Sequence, residues 1–292
     1  MTPNYKGPLR ALCIALDDYG LHTGINQAAL QLAAAGRVQA IGCMVGGPAW
    51  PQGSPALVEL DQAHPGSRGV DLGLHLDLTE CPGAVFGARP LWRLMLQCWS
   101  HKIDRSRLRA EIRRQLDAFE QAIGRPPDYV DGHQHVHQFP VVRSELVAEL
   151  AQRSSQHRPW LRSTLRPAAS RGAGIGVKPR LIEALGARAL ATTARYAGFV
   201  QNHALLGVHD FRADANVYAA SLRRWLGEAA DADLLMCHPS LDFDGADPIL
   251  PARLAEFEVL SGADFGRWLA EAGIALQPMS RILAAPTINP LR

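Results

Sequence analysis

Short apolar runs alternate with amphipathic stretches along almost the whole chain, and this alternation constrains the fold more than any other feature. The first run, "ALCIAL" at 11–16, is followed by "TGINQAALQLAAAG" at 23–36, which has helical spacing of its apolar residues and ends in glycine. Strands that alternate with helices form parallel sheets, because each helix returns the chain to the start of the next strand.

The later elements repeat this order. Strands are predicted at six further apolar runs, 38–47, 69–78, 128–133, 159–164, 204–209 and 233–239. Helices are predicted from Ser106, a candidate N-cap, to the "GRPP" stop, and at 143–153, 178–196, 216–230 and 251–273. The segment 81–104 is rich in glycine, proline and tryptophan, and its composition predicts a long loop.

Seven or eight parallel strands in 292 residues predict a single α/β domain over 1–292. The leading prediction is a distorted or incomplete (β/α) TIM-like barrel, and a doubly wound open sheet is the alternative. No fixed-period repeat, low-complexity segment or linker divides the chain. In both architectures, ligands bind where the carboxyl ends of the strands meet.

Composition excludes several classes of protein. The formal net charge is +2 and there is no basic tail, which argues against a nucleic-acid partner. Five scattered cysteines without a C-x-x-C pair argue against a disulfide framework or a structural zinc site. The chain shows no apolar run long enough to span a membrane and no signal-peptide pattern, so we expect a cytoplasmic protein.

Residues with catalytic or metal-binding chemistry fall where the predicted strands end. They are Asp17 and Asp18, His75, Asp131 and His133, Arg162, His209 and Asp210, and His238. One histidine at a strand end is usually a hydrogen-bonded edge residue. Six strands that deliver such groups to one rim indicate a functional site instead.

Asp17 and Asp18 are adjacent acidic residues directly after a buried run. Two carboxylates in a confined place repel each other unless a cation is near, so one could bind a metal while the other keeps a separate role. The alternative is that they stabilise the N-terminus of helix 23–36. His75 shares a strand face with Asp71 and Asp77, so it could belong to the same site. The alternative interpretation is that His75 is a core histidine that is hydrogen-bonded to a backbone carbonyl.

The stretch "DGHQHVHQFP" at 131–140 places His133, His135 and His137 at alternate positions after Asp131. While the chain stays extended, these side chains line one side of it. If the strand ends before His133, that residue lies at the rim and the other two histidines enter the loop, where they could hold the metal ligands in place or contact substrate. A surface histidine cluster is the alternative.

One carboxylate and two imidazoles from three strands form a facial donor set with open positions. This donor set suits Zn²⁺, Mn²⁺, Fe²⁺ or Co²⁺ better than Mg²⁺, which prefers oxygen ligands alone. A catalytic metal needs such an opening for water, whose pKa it can lower to about 7.

These residues resemble the YdjC-like carbohydrate deacetylases, which include chitooligosaccharide deacetylase and the hopanoid-associated deacetylases. The family motifs A-D-D-F-G-[LM], G-x-H-x-x-L-T, D-x-H-x-H-x-H-x-x-P and M-C-H-P are similar to four stretches here. The stretches are "LDDYGL" at 16–21, "GLHLDLT" at 73–79, "DGHQHVHQFP" at 131–140 and "MCHPS" at 236–240.

The resemblance spans roughly residues 10–280 and departs from the family in few places. Leu16 stands where alanine is usual, and Tyr19 stands where phenylalanine is usual. The segment at about 165–205 is less similar and is predicted to be a variable region that bears on substrate choice.

The resemblance implies a distorted (β/α) barrel with one divalent metal ion, zinc or magnesium, with manganese, cobalt and iron as alternatives. Carried over motif by motif, Asp18, His75 and His133 would be metal ligands. Asp17 would be the general base that activates the metal-bound water, and His238 the general acid or an oxyanion partner. The implied reaction is hydrolysis of an acetamide group on an N-acetylated sugar or glycoconjugate, and the resemblance is compatible with a homodimer.

Four side chains are predicted to contact substrate: His135, His137, Arg162 and Trp92. Arg162 either holds a substrate group or pairs with Asp131, and the pairing is favoured. Trp92 stacks on a sugar ring or fixes the long loop in place.

Two other functions are compatible with the sequence. One is a metal-dependent barrel hydrolase that acts on phosphate esters or cyclic amides, which a second metal cluster or a bridging lysine would favour. The scarcity of lysine, with Lys6, Lys102 and Lys178 alone, weakens the bridging-lysine version. The other is a non-catalytic sugar-binding barrel, which the intact set of acidic and histidine residues disfavours.

Overall fold

Strands and helices alternate in the computed structural model, which describes residues 7–63, 69–153, 158–168, 177–242 and 246–285. The strands are β1 (Arg10–Tyr19), β2 (Ala40–Cys43), β3 (Asp71–Leu76), β4 (Tyr129–Gly132), β5 (Trp160–Leu161), β6 (Leu205–Leu206), β7 (Asp233–Cys237) and β8 (Ile274–Leu276). The helices are α1 (Thr23–Ala34), α2 (Trp50–Gln62), α3 (Leu91–Trp99), α4 (Arg105–Ile123), α5 (Val142–Arg153), α6 (Val177–Ala184), α7 (Ala187–Tyr196), α8 (Ala215–Glu228), α9 (Leu250–Ser261), α10 (Ala263–Ala272) and α11 (Met279–Ala284).

All the strand pairs are parallel, and their order is β5-β4-β3-β2-β1-β7-β6, with β8 paired to the start of β1. The two ends of this order approach each other through irregular chain: the Leu161 amide donates to the Val200 carbonyl at 3.0 Å, and the Leu205 amide to the Leu165 carbonyl at 2.8 Å. The predicted α/β fold with a distorted, incomplete barrel is therefore confirmed. Among the described residues, no helix combines the length and apolar character needed to cross a bilayer.

Strand parity separates the helix-facing side of the sheet from the barrel interior. Leu12, Ile14 and Leu16 of β1 pack in the large cluster under the helices. Cys13 and Ala15, the alternate residues, pack inside the barrel against a smaller cluster that includes the stacked rings of Tyr129 and Trp160. Small side chains suit these interior positions, because the barrel is narrow and must be filled without overlap.

Three helices, α2, α3 and α11, lie where the sequence did not predict them. The predicted loop 81–104 contains α3, whose Leu94 and Cys98 are buried four residues apart. Helix α2 begins at Trp50 with proline in its first turn and carries Pro55 inside it, so its composition resembled a turn. Helix α2 therefore forms despite its low intrinsic helix propensity, because tertiary packing stabilises it.

Two predicted helix boundaries also differ in detail. The predicted helix at 178–196 is split into α6 and α7 by Gly186, whose φ of 138° is open to glycine and strained for other residues. The N-cap of α4 is Asp104 rather than Ser106, because the Asp104 carboxylate accepts hydrogen bonds from the amides of Ser106 and Arg107.

Gly73 in β3 gives a test of this tight interior. A Cβ at Gly73 would lie 2.3 Å from Cε1 of the Tyr129 ring. We expect Gly73→Ala to lower the free energy of unfolding by about 1–3 kcal/mol, because the ring and strand must move apart. Urea denaturation measures the change.

Gly227→Ala is the matched control, because a Cβ at that exposed position in α8 would meet no atom within 4 Å. Alanine favours a helix over glycine by up to about 1 kcal/mol, so this variant should be unchanged or slightly more stable. Equal losses in both variants would contradict the packing argument.

Candidate active site

The carboxyl ends of neighbouring strands bring most of the predicted site residues to one end of the barrel. Asp17 and Asp18 lie near the end of β1, His75 near the end of β3, His133 directly after β4, Arg162 directly after β5, and His238 directly after β7. The strand register determines which of these side chains become neighbours. His75 is paired with Asp131, Arg162 follows the Val130–Leu161 pair, and His238 follows the Leu16–Cys237 pair.

Asp18, His75 and His133 converge as predicted. The His133 Nδ1 atom lies 2.9 Å from Asp18 Oδ1, and the His75 Nε2 atom lies 3.4 Å from the same oxygen. One ligand atom from each of the three residues lies within 4.8 Å of the others. One carboxylate and two imidazoles at this spacing fit a single divalent cation of the kind that takes nitrogen and oxygen ligands.

A bulge in β1 lets both aspartates face this centre. In a regular strand, Asp17 and Asp18 would point to opposite faces. The register between β1 and β2 shifts between Leu16 and Tyr19, and Asp18 has a φ of 70°, in the left-handed region. The bulge therefore turns the second carboxylate into the barrel mouth, at a backbone cost of about 1–2 kcal/mol.

Asp131 orients the His75 ring. The His75 Nδ1 atom lies 2.7 Å from Asp131 Oδ1, which leaves Nε2 facing Asp18. Burial alone would lower the pKa of His75, but Asp131 and Asp17 outweigh it and raise that pKa to about 10. Carboxylates that favour a proton on a histidine also favour a metal ion beside it, since both carry positive charge.

Arg162 binds Asp17 and Asp131 together. Its guanidinium donates to both Asp17 oxygens at 2.6 Å and lies 2.7 Å from Asp131 Oδ2. Burial would raise the pKa of Asp17, but Arg162, with His75 and His238 nearby, lowers it to about 2. Asp17 is therefore ionised at neutral pH. Of the two roles predicted for Arg162, a substrate contact and a pairing with Asp131, the structure shows the pairing. The Arg162 side chain is fully buried, which leaves no surface on it for a ligand.

His238 lies between two carboxylates. Its Nε2 atom is 3.8 Å from Asp17 Oδ2, and its Nδ1 atom is 4.0 Å from Glu256 Oε1. Burial lowers the pKa of His238, although Glu256 and Asp17 oppose this shift. His209, another of the predicted strand-end residues, lies with its Nε2 atom 2.8 Å from Glu256 Oε1.

His137 lies deeper than His133, whereas the His135 ring stays close enough to Asp17 and His75 to feel their charges, and its buried Nδ1 atom has no hydrogen-bond partner among the described residues. The chain leaves the strand and forms a 3₁₀ helix over His133–Gln138, so the alternation of an extended strand no longer applies. His137 is fully buried and donates from Nε2 to the Arg162 carbonyl at 3.0 Å, and burial lowers its pKa to about 4. His135 is partly exposed. Trp92 is 65% exposed on α3.

Three residues of the site were not predicted from the sequence: Arg253 and Glu256, both on α9, and Glu80, whose Oε1 atom lies 3.0 Å from His133 Nε2. Arg253 donates to Asp18 Oδ2 at 2.7 Å and to Asp247 at 2.6 Å, and it holds the pKa of Asp18 well below its usual value against the opposing effect of burial. Glu256 accepts a hydrogen bond from the His238 backbone amide at 2.6 Å. The available signal was an arginine and a glutamate three residues apart within an apolar stretch, which places both on the inner face of a helix.

Known sequences are similar to this chain over most of its length. A family model described as YdjC-like protein matches residues 11–271. A carbohydrate deacetylase from Mus musculus is 28% identical over 312 residues, which cover 92% of this chain and 94% of the relative. A chitooligosaccharide deacetylase from Serratia marcescens is 29% identical over 145 residues, or 46% of this chain and 53% of that relative, so this match spans about half of it.

Solved structures share the fold. A putative cellobiose-phosphate cleavage protein from Enterococcus faecalis V583 superposes with a TM-score of 0.63 at 16% identity, covering 94% of this chain and 99% of that one. A peptidoglycan N-acetylglucosamine deacetylase superposes with a TM-score of 0.52 at 10% identity, covering 93% and 87%. With the family model matching most of its length, the chain belongs to the YdjC-like family.

Proposed function

We propose that this protein is a metal-dependent carbohydrate deacetylase that hydrolyses the acetamide group of an N-acetylated sugar or glycoconjugate. The observation that carries the proposal is the convergence of Asp18, His75 and His133 next to Asp17 and His238. The names of the mouse and Serratia relatives, carbohydrate deacetylase and chitooligosaccharide deacetylase, support the substrate class. A cytoplasmic location and a homodimer stay predictions.

Asp18, His75 and His133 would hold the metal. A divalent cation supplies this chemistry by polarising the acetamide carbonyl and by lowering the pKa of a water molecule. Arg253 keeps Asp18 ionised, and Asp131 fixes the His75 ring so that Nε2 faces the centre. The two imidazoles favour Zn²⁺, Mn²⁺, Fe²⁺ or Co²⁺ over Mg²⁺, since Mg²⁺ prefers oxygen ligands.

Asp17 and His238 are positioned to move protons. The ionised Asp17 accepts a proton from the attacking water as the oxygen–carbon bond forms, and Arg162 holds the carboxylate in place. A carboxyl with a pKa of about 2 gives up that proton readily. That proton passes to His238, whose Nε2 atom lies 3.8 Å from Asp17 Oδ2, and His238 donates it to the amine as the carbon–nitrogen bond breaks, which leaves acetate and a free amino sugar.

The site favours this reaction over a two-metal hydrolase. A second group of potential ligands, Asp17, His75 and Asp131, shares His75 with the first group. Both of its carboxylates are bonded to Arg162, so a guanidinium occupies the position that a second cation would need. Lys178 donates to the His209 carbonyl at 2.7 Å and is not among these ligands.

Acetate release from diacetylchitobiose tests the proposed function. We expect the purified protein to release acetate, a strong chelator to abolish release, and added Zn²⁺, Mn²⁺ or Co²⁺ to restore it, because the cation is needed to polarise the carbonyl. A folded, metal-loaded preparation that releases acetate from none of a panel of N-acetylated sugars would overturn the proposal. Phosphate release from phosphate esters by that preparation would favour the alternative hydrolase.

Asp17→Asn separates proton transfer from metal binding. We expect kcat to fall by about 10²–10⁴, since the amide cannot accept the proton, while metal content is unchanged because the ligand set is intact. Metal analysis and steady-state kinetics measure both quantities. Asp264→Asn, at an exposed position on α10, is the control and should match the unmodified protein. Retention of both rate and metal in Asp17→Asn would show that Asp17 is not the base.

Asp131→Asn tests the orientation of His75. Loss of the carboxylate that binds His75 Nδ1 should weaken metal affinity by about 10–100-fold, because the ring is no longer fixed with Nε2 towards the centre. Competition with a chromogenic chelator measures the affinity. His203→Gln breaks a histidine–aspartate pair of similar length, 2.9 Å, away from the site and should leave the affinity unchanged. The same affinity in all three proteins would rule out an orienting role.

A further inference from the structure

The outer face of α3 is apolar. Trp92, Leu96 and Trp99 recur at helical spacing, so they lie on one side of the helix, and they are 65%, 63% and 43% exposed. Leu94 and Cys98, on the inner side, are buried in the core. A surface helix normally turns polar residues outwards, so the outer face of α3 is suited to contact with an apolar partner.

The residues beneath this face fix it in one orientation. The Trp99 ring meets the Phe139 ring edge-on, with 5.1 Å between the ring centroids, and Phe139 is fully buried. Phe139 follows the 3₁₀ helix that begins at His133, so the face lies at the same end of the barrel as the candidate metal centre. A face that is already rigid loses little conformational entropy when it binds a partner.

The surroundings of this face are positively charged. Residues 81–103 include Arg89, Arg93 and Lys102 and no aspartate or glutamate. Among the described residues, no carboxylate forms an ion pair with these three side chains, whereas Arg107 lies 3.5 Å from Asp104. Burial lowers the pKa of Arg89, and the nearby Arg93 and Arg107 lower it further by charge repulsion. An anionic partner would relieve this repulsion.

A second copy of this chain fits the face poorly. The three apolar residues expose on the order of 400 Å², about half of the roughly 800 Å² that each partner of a stable dimer buries. A two-fold interface would also bring the arginines and the lysine of both copies together, and these like charges would repel.

An anionic lipid surface matches both features of the face. Tryptophan favours the boundary between the headgroups and the acyl chains of a bilayer, because its ring is apolar and its N–H is polar. Arginine and lysine beside an apolar helix face are attracted to anionic headgroups.

We propose that the outer face of α3 docks this protein on the surface of an anionic phospholipid bilayer. Trp92, Leu96 and Trp99 enter the headgroup boundary, and Arg93 and Lys102 contact the anionic headgroups. The helix lies along the surface rather than across the bilayer. Docking requires neither the metal ion nor an acetamide, so this inference goes beyond the proposed function and does not depend on it.

Sedimentation with lipid vesicles tests the docking face. We expect the protein to sediment with vesicles of equal parts phosphatidylcholine and phosphatidylglycerol, to bind phosphatidylcholine alone at least about tenfold more weakly, and to be released by added salt. Trp92→Ala combined with Leu96→Ala should weaken binding to the mixed vesicles at least about tenfold. Tyr196→Ala combined with Val200→Ala removes two exposed apolar side chains outside α3 and is the matched control, which should bind like the unmodified protein.

Arg93→Gln tests the charge beside the apolar face. Binding to the mixed vesicles should weaken about fivefold, because one cationic side chain near the lipid surface is lost. Arg224→Gln, at an exposed position on α8, is the control and should bind like the unmodified protein. Equal binding of phosphatidylcholine and mixed vesicles by the unmodified protein would overturn the anionic character of the partner.

Three further outcomes would overturn the docking face. They are no sedimentation of the unmodified protein with the mixed vesicles, equal sedimentation of the Trp92→Ala/Leu96→Ala variant, and a dimer in analytical ultracentrifugation that this variant abolishes. The last outcome would assign the face to a second copy of the chain. Circular dichroism of each variant shows that it is folded, as expected for substitutions of exposed side chains.

Discussion

The buried guanidinium of Arg162 makes the rest of the site possible. Asp17, Asp18 and Asp131 lie together in the barrel mouth with almost no exposure, and three ionised carboxylates could not be kept there unpaired. Arg162 compensates Asp17 and Asp131, and Arg253 compensates Asp18. These three carboxylates outnumber the two guanidiniums, so when the imidazoles are neutral, as metal ligands must be, a divalent cation enters surroundings of net negative charge.

The strand register of the barrel determines which reactive side chains lie next to each other. Because the strands are parallel and closely in register, residues that end neighbouring strands meet at one level: His75 with Asp131, Asp131 with Arg162, and Asp17 with His238. In a regular β1 strand, the Asp18 side chain would point to the opposite face of the sheet, away from these groups. The bulge brings Asp18 to that level as a sixth group, and the ion pair with Arg253 and the contact with His133 offset its backbone strain.

Sequence reasoning succeeded where a side chain's position follows from strand parity and failed where it depends on a turn or a distant helix. The parity of β3 and the end of the first apolar run were enough to indicate His75 and the two aspartates. For His137, the sequence left open a substrate contact or a supporting role in the loop, and only the turn after Gly132, which no alternation pattern reveals, buries it against the Arg162 carbonyl. Arg253 and Glu256 were missed because a helix packed across the barrel mouth brings them in, and their sequence separation from Asp18 carries no register.

The two imidazoles of the centre differ in the exposure of the carboxylate that holds each far nitrogen. His75 is held by Asp131, which is fully buried and shielded from solvent by Arg162. His133 is held by Glu80, whose carboxylate is partly in water and therefore bonds more weakly. His75 is therefore the more firmly oriented of the two imidazoles, because the carboxylate that holds it is out of contact with water, whereas the carboxylate that holds His133 is not.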